Sequence, residues 1–150
     1  METKETVIIG SDHAAFELKE KIRKHLAHLE IDVKDVGTNG EGSVNYVDFG
    51  KKVAKAVAEK EYSRGILLCG TGIGMSMVAN RFTGVRAALC NDLFSARMSR
   101  RHNNANILVL GARVIGDMLA CEIVREWLET GFEGGRHSDR IESIDAENID

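Results

Sequence analysis

The sequence predicts an α/β fold, a three-layer sandwich on a five-stranded parallel sheet, and three observations carry that expectation. Short apolar runs rich in branched residues alternate with longer stretches of helical period, the mark of parallel strands joined by crossover helices. Several of those runs are near-continuously apolar, as strands covered on both faces must be. The chain has 150 residues, 43% hydrophobic and 29% charged, which suits one domain with one continuous core. At this size folding buries about 68–70% of the unfolded surface, so no disulfide or structural metal is needed to complete that core. A single domain over 1–150 is expected.

The first strand is expected over Thr6 to Gly10. In the helix that follows, Leu18, Ile22, Leu26 and Leu29 form one apolar stripe, while Glu17, Lys19, Glu20, Lys21, Arg23 and Lys24 cover the other face. His25 and His28 fall on that helix and read as solvated. Asp32 to Val36 is a weaker strand, because Asp32 and Lys34 alternate with Val33 and Val36. Residues 37–46 (GTNGEGSVNY) form a loop long enough to reach a ligand. Phe49, Val53 and Val57 mark the next helix, and Gly65 to Cys69 the third strand. A helix begins near Ile73; strands follow at Val85 to Cys90 and at Ile107 to Leu110. Ile123, Val124, Trp127 and Leu128 stripe the last long helix, which Gly131, Gly134 and Gly135 end. The polar tail from Arg136 to Asp150, with Ile141, Ile144 and Ile149 at helical spacing, lacks a core of its own and is expected to dock on a partner subunit.

Composition removes several function classes. Twenty basic against 23 acidic residues leave a net charge of −3, which lacks the positive field that a sequence-independent grip on nucleic acid requires. The three cysteines, Cys69, Cys90 and Cys121, form no CxxC pair, so neither a disulfide framework nor a zinc site is indicated. The N-terminus METKETVIIGSDH lacks the form of a signal peptide, and no apolar stretch approaches the ~18 residues of a membrane span. A cytoplasmic protein without membrane partners is expected. Proline is absent altogether.

In an open parallel sheet, ligands bind beyond the carboxyl ends of the strands. Ser11, Asp12 and His13 follow the first strand; Gly70 to Gly74 follow the third; Asn91 and Asp92 the fourth; Gly111 and Arg113 the fifth. The glycine run CGTGIG lets backbone approach a ligand closely and opens a helix, whose free N–H groups suit an oxyanion or phosphate. It is not a P-loop, because Gly74-Met75-Ser76 lacks the lysine. It follows the third strand, where a dinucleotide fingerprint would follow the first. Nor is it a cysteine phosphatase loop, since Met75 stands where that loop carries arginine.

Cys69 stands immediately before those donors. Two readings are open: a buried strand cysteine, or a thiol that such surroundings can bring from ~8.5 into the range ~3.5–7.5. Cys90 and Cys121 lie in apolar periods and read as packing. His13 follows Asp12 at a strand end, and His102 closes a basic helix before Asn103 and Asn104. In the tail, Arg136, His137 and Arg140 are basic or titratable groups that could together form a phosphate clamp.

Taken together, GSDHAAFELK, GILLCGTGIGMSMVANR, VRAALCNDLFSARMSRRHNNANILVLGARV and FEGGRHSDRI resemble the ribose-5-phosphate isomerase B family, the LacA/LacB-type sugar-phosphate isomerases, from about Val7 to Ile144. The resemblance implies a Rossmann-like fold and an aldose–ketose isomerase of the pentose phosphate pathway. It implies no metal and no cofactor, and a homodimer or tetramer whose active site is shared between subunits. It matches the family's base to Cys69 and its ring-opening acid to His102, with Thr71 as a relay or hydrogen-bond donor. Substrate contact falls to Asp12 and His13, and the developing oxyanion to Gly70, Thr71, Gly72, Ile73 and Gly74. Asn103, Arg113, Arg136 and Arg140 would hold substrate oxygens and phosphate. Another branch of the family places a glutamate base where this chain has Met75, so the cysteine branch is indicated.

Three positions depart from the family pattern. Ala15 stands where glycine is common, and Val47 and Thr83 replace prolines expected in loops. Interconversion of ribose 5-phosphate and ribulose 5-phosphate is therefore the expected activity, with allose or galactose 6-phosphate or a tetrose phosphate as alternative substrates. A phosphosugar sensor without catalysis is the rival of another class; it would need the clamp but no thiol beside the glycine loop. Having Cys69, His102 and the tail arginines in one chain favours a self-sufficient homomer.

Overall fold

Alternation along three buried strands decides which side chains reach the site. The computed structural model describes residues 5–146. Its strands are β1 (Thr6–Ser11), β2 (Asp32–Asp35), β3 (Arg64–Cys69), β4 (Ala87–Leu89) and β5 (Ile107–Gly111), all parallel, in the order β2-β1-β3-β5-β4. Its helices are α1 (Phe16–His28), α2 (Tyr46–Ala58), α3 (Ile73–Ala79), α4 (Leu93–Arg101), α5 (Asp117–Glu129) and α6 (Arg136–Asp145), with a 3₁₀ turn at His13–Ala15. Val7, Ile9, Ile66, Leu68, Leu108 and Leu110 pack on α1, α4 and α5. Ile8, Leu67, Cys69, Ile107 and Val109 face the other way, onto α2 and α3. Successive strand residues point to opposite faces, so Cys69 necessarily shares a face with Leu67. Among the described residues no helix is long and apolar enough to cross a membrane.

The expected α/β sandwich is therefore present, with several local corrections. The fourth strand is shorter than Val85 to Cys90 because it is the sheet's edge. There the Asn80 amide donates to the Ala87 carbonyl (3.0 Å) and accepts its N–H (2.8 Å), standing in for a neighbouring strand. Val47 lies in the first turn of α2 rather than in a loop, and its N–H donates to the Asn45 side chain at 3.0 Å, a capping bond proline cannot make. Thr83 is exposed in the turn after α3, and Ala15 is fully buried in the 3₁₀ turn. His25 is not solvated: its Nε2 is buried at the α1–α5 groove, without a hydrogen-bond partner among the described residues. The tail forms α6 and packs on its own chain through Ile141, His137 and an Arg86–Asp145 ion pair of 2.6 Å. Ile149 lies outside the described residues.

Lys19 overturns a further expectation. Its side chain is 0% exposed, and its Nζ reaches Asp35 Oδ2 at 2.5 Å and Glu20 at 3.5 Å. The other Asp35 oxygen accepts the Gly37 N–H at 2.8 Å. One carboxylate thus ties α1, the end of β2 and the start of the 37–45 loop, which the Thr38 N–H secures to Ser11 O at 2.9 Å. Removing one member of a buried pair strands the other charge, so Asp35→Ala is expected to destabilise the fold by about 3 kcal/mol in urea unfolding, with Lys19→Met in the same chain recovering most of it. A loss below about 0.5 kcal/mol would mean that the pair is screened like a surface bridge.

Candidate active site

Chain direction at β3 opens the site. β1 and β5, its two neighbours, send the chain to the α1 face, whereas β3 sends it to the α2 face. The turn after β3 consequently stands between two connections that leave the other way, the crevice where open parallel sheets bind ligands. An open cleft of about 480 Å³ occupies that edge, lined by Asp12, Tyr46, Cys69, Gly70, Thr71 and Gly74 among others. A larger groove of about 630 Å³, along α1 beside Asp32, is flanked by charged side chains and lies at the amino end of β2.

Cys69 ends β3 with 5% exposure, and its Sγ accepts the Gly72 N–H at 3.2 Å. Thr71 Oγ1 accepts the Ile73 N–H at 3.2 Å. The first intrahelical bond of α3 runs from the Ser76 N–H to Gly72 O, which leaves the Gly74 and Met75 N–H groups without an intrahelical acceptor. The loop is braced by β5: Ala112 N–H donates to Cys69 O and Arg113 N–H to Gly70 O, both at 2.9 Å. The Arg113 side chain runs alongside Gly70 and has no ion-pair partner among the described residues. Met75 is fully buried against α2 near Gly50 and takes no part in the cleft.

On the β1 side, Asp12 is buried and one carboxylate oxygen caps the 3₁₀ turn through the Ala15 N–H at 3.2 Å. His13 Nδ1 accepts the Val44 N–H at 3.1 Å, which leaves its Nε2 to carry the proton of the neutral ring. That bond pins the 37–45 loop over the strand end and sets Tyr46 across Gly74. Sequence reading placed Tyr46 only in the loop. Its signal was the pairing of an aromatic at a helix start with a glycine, since a Cβ at Gly74 would lie 2.6 Å from the tyrosine ring.

His102, Asn103, Arg136 and Arg140 are elsewhere in the chain. Gly65 pairs with Ile107 and Cys69 with Gly111, so four residues, about 13 Å at ~3.3 Å each, separate the strands' entrance from the cleft. His102 caps the end of α4 before β5 begins, at the entrance end. There its ring stacks on His137, with centroids 4.4 Å apart and planes at 15°, and its Nε2 lies 3.9 Å from Glu133. Arg136 and Arg140, one turn apart on α6, are exposed. Burial, reinforced by the neighbouring His102 ring and the Arg136 guanidinium, holds the His137 ring below the usual imidazole range. Burial pushes the Cys90 thiol up to about 11, as suits packing. Nitrogen and carboxylate atoms of His102, Glu133 and His137 lie within 4.8 Å of one another. The group fits a metal poorly, because near-parallel rings aim their lone pairs side by side and Arg136 and Arg140 flank them.

The family described as Ribose/Galactose Isomerase matches residues 7–144. Ribose-5-phosphate isomerase B of Escherichia coli is 45% identical over 140 residues, covering 93% of this chain and 94% of that protein. D-erythrulose-4-phosphate isomerase of Pectobacterium atrosepticum is 45% identical over 141 residues, covering 93% and 92% respectively. A solved ribose 5-phosphate isomerase from Thermotoga maritima is 54% identical with a TM-score of 0.92, covering 95% of this chain and 99% of that one.

Two outcomes follow from this geometry. Gly74→Ala forces Tyr46 off the cleft while leaving α3 intact, and is expected to lower turnover about tenfold with little change in melting temperature. Turnover within twofold of wild type would remove Tyr46 from the cleft wall. A histidine held neutral by the fold takes its proton more readily when unfolded, so its contribution to α6 docking is complete above ~6.5 and is lost as pH falls through the folded value. Once the intrinsic pH dependence of amide exchange is divided out, protection of the α6 amides is expected to fall between pH 7.5 and 5, and His137→Phe to abolish that fall; an unchanged pH response in the variant would contradict the assignment.

Proposed function

The chain belongs to the ribose/galactose isomerase family, and on that premise we propose that it is an aldose–ketose isomerase interconverting ribose 5-phosphate and ribulose 5-phosphate. The observation that carries this reading is the Cys69 sulfur at the mouth of the glycine loop, receiving the Gly72 N–H and facing unbonded donors at the start of α3. Isomerisation moves one proton from C2 of the aldose to C1 of the ketose through a cis-enediolate. A thiolate at Cys69 takes the C2 proton and returns it to C1, the O2 hydroxyl proton passes to O1 by way of the Thr71 hydroxyl, and loop N–H groups meet the charge on the enediolate oxygens. Asp12 and His13 bind sugar hydroxyls, and Arg113 adds charge at the rim of the loop.

His102 opens the furanose ring by protonating its oxygen, and Asn103, Arg136 and Arg140 hold the phosphate. These groups belong to the opposite end of the same chain, so a second copy supplies them. The reading is therefore a homodimer, or a tetramer of such pairs, with each cleft completed by the partner's α4 and α6 ends. Ile73, Met77, Phe94 and Val114, which are 50%, 65%, 67% and 54% exposed, belong to α3, the start of α4 and the turn after β5 at the cleft end of the sheet, and give a second copy apolar area to cover.

Substrate choice follows from His102. A tetrose 4-phosphate has no free hydroxyl placed to close the usual ring, so a ring-opening acid favours a pentose or hexose phosphate. A panel of tetrose, pentose and hexose phosphates, followed by exchange of the C1 or C2 proton with solvent, tests the assignment. Highest turnover on ribose 5-phosphate is expected; highest turnover on a tetrose or hexose phosphate would reassign the substrate, and binding without exchange would favour a sensor. Cys69→Ala is expected to abolish exchange without altering the fold, and near wild-type turnover would remove it as the base. Ribulose 5-phosphate has its C5 oxygen esterified and stays open-chain. His102→Ala is accordingly expected to impair ribose 5-phosphate selectively, by about 100-fold or more. Equal loss on both substrates would contradict a ring-opening role.

A further inference from the structure

The connector between α5 and α6 crosses the end of α4 and builds the surroundings of His102. Glu133 N–H donates to Arg101 O at 3.1 Å, and Arg100 Nε to Thr130 O at 3.2 Å. Gly134 and Gly135, at φ +69° and +56°, reverse the chain so that the His137 N–H reaches Gly134 O at 3.1 Å. A side chain at either position would be strained in that turn. The reversal lays the His137 ring on the His102 ring and leaves the Glu133 carboxylate 3.9 Å from His102 Nε2.

We propose that Glu133 and His137 are positioning residues for His102: His137 fixes the plane of its imidazole by stacking, and Glu133 fixes which edge of the ring faces the substrate. His102 needs such support. It caps a helix end with its side chain 40% exposed, where an unsupported imidazole rotates freely about both side-chain torsions. His137 is 7% exposed and held by its own helix, so of the two stacked rings it is the fixed one. Glu133 is 47% exposed and contributes little to packing. Anchorage of α6 does not require it, because Ile141 and the Arg86–Asp145 pair hold the helix independently. A carboxylate at 3.9 Å is too long for a hydrogen bond, yet a small ring rotation closes it, so it attracts the N–H edge and orients the imidazole without capturing it. Misplacing an acid by 1 Å can cost about 100-fold in rate, which is the scale on which such support acts.

This inference rests on the reading of His102 as the ring-opening acid, and the test separates the two. Glu133→Gln, His137→Ala, His137→Phe and His102→Ala are assayed on cyclic ribose 5-phosphate and on open-chain ribulose 5-phosphate, with long-range ¹H–¹⁵N spectra of the imidazoles. Glu133→Gln and His137→Ala are expected to lower kcat on ribose 5-phosphate about tenfold, with KM and the ribulose 5-phosphate rate within about twofold, and to shift the His102 nitrogen signals. His137→Phe keeps a ring to stack on and is expected to retain at least a third of wild-type kcat; because it preserves packing, it keeps the test valid if the alanine variant loosens α6. Equal loss on both substrates, or no loss in Glu133→Gln and His137→Ala while His102→Ala remains selective, overturns the positioning role alone. Loss of selectivity in His102→Ala itself overturns the ring-opening reading and this proposal with it.

Discussion

Parallel strand direction is the constraint on which the rest of this molecule depends. When all five strands point the same way, every strand-to-helix turn lies at one end of the sheet and every helix-to-strand turn at the other. Cys69 and its glycine loop occupy a strand-to-helix turn, whereas His102 and Asn103 occupy a helix-to-strand turn. Within one chain the two cannot meet, because at least the length of β5 stands between them. The proposed chemistry uses both, and on that proposal each copy supplies one half of the site.

The two halves differ in how their residues are held. The cleft half is built from backbone, with Gly72, Ala112 and Arg113 N–H groups fixing the sulfur and the loop carbonyls. That rigidity extends to β1 through the 37–45 loop, where Asp35 joins Lys19 to Gly37 and His13 holds Val44. The other half is built from side chains on helix ends, exposed at Arg136 and Arg140 and braced from behind by His137 and Arg86. A backbone cradle suits charge that develops at fixed atoms, and flexible cations suit a phosphate that must be captured first.

Sequence legibility followed the same division. β1, β3 and β5 were readable because a buried parallel strand must be apolar on both faces, whereas the α2 side on which Cys69 lies came with the packing of the helices. The glycine loop was readable because backbone approach demands small residues in a row. Lys19 and His25 were misread, since the burial of a single polar residue depends on what packs over it, and helical periodicity cannot say that Asp35 will lie above Lys19. Tyr46 was missed as a site residue because the path of a nine-residue loop, 37–45, is not encoded in local pattern. Glu133 was visible only as a letter within a motif; its place beside His102 depends on the reversal at Gly134 and Gly135. The expected parallel order already put Cys69 after the third strand and His102 before the fifth; the structure added the strand register that sets how far apart they lie.

Subunit complementation tests the two-copy account most directly. Cys69→Ala and His102→Ala chains, each inactive on ribose 5-phosphate alone, are unfolded together and refolded as mixed assemblies. In a mixed pair both altered residues fall into one cleft and the other cleft is intact. The account predicts recovery of activity approaching one quarter of the wild-type value from an equal mixture. No recovery, in assemblies demonstrated to contain both chains, would mean that each site is complete within its own chain and would contradict the account.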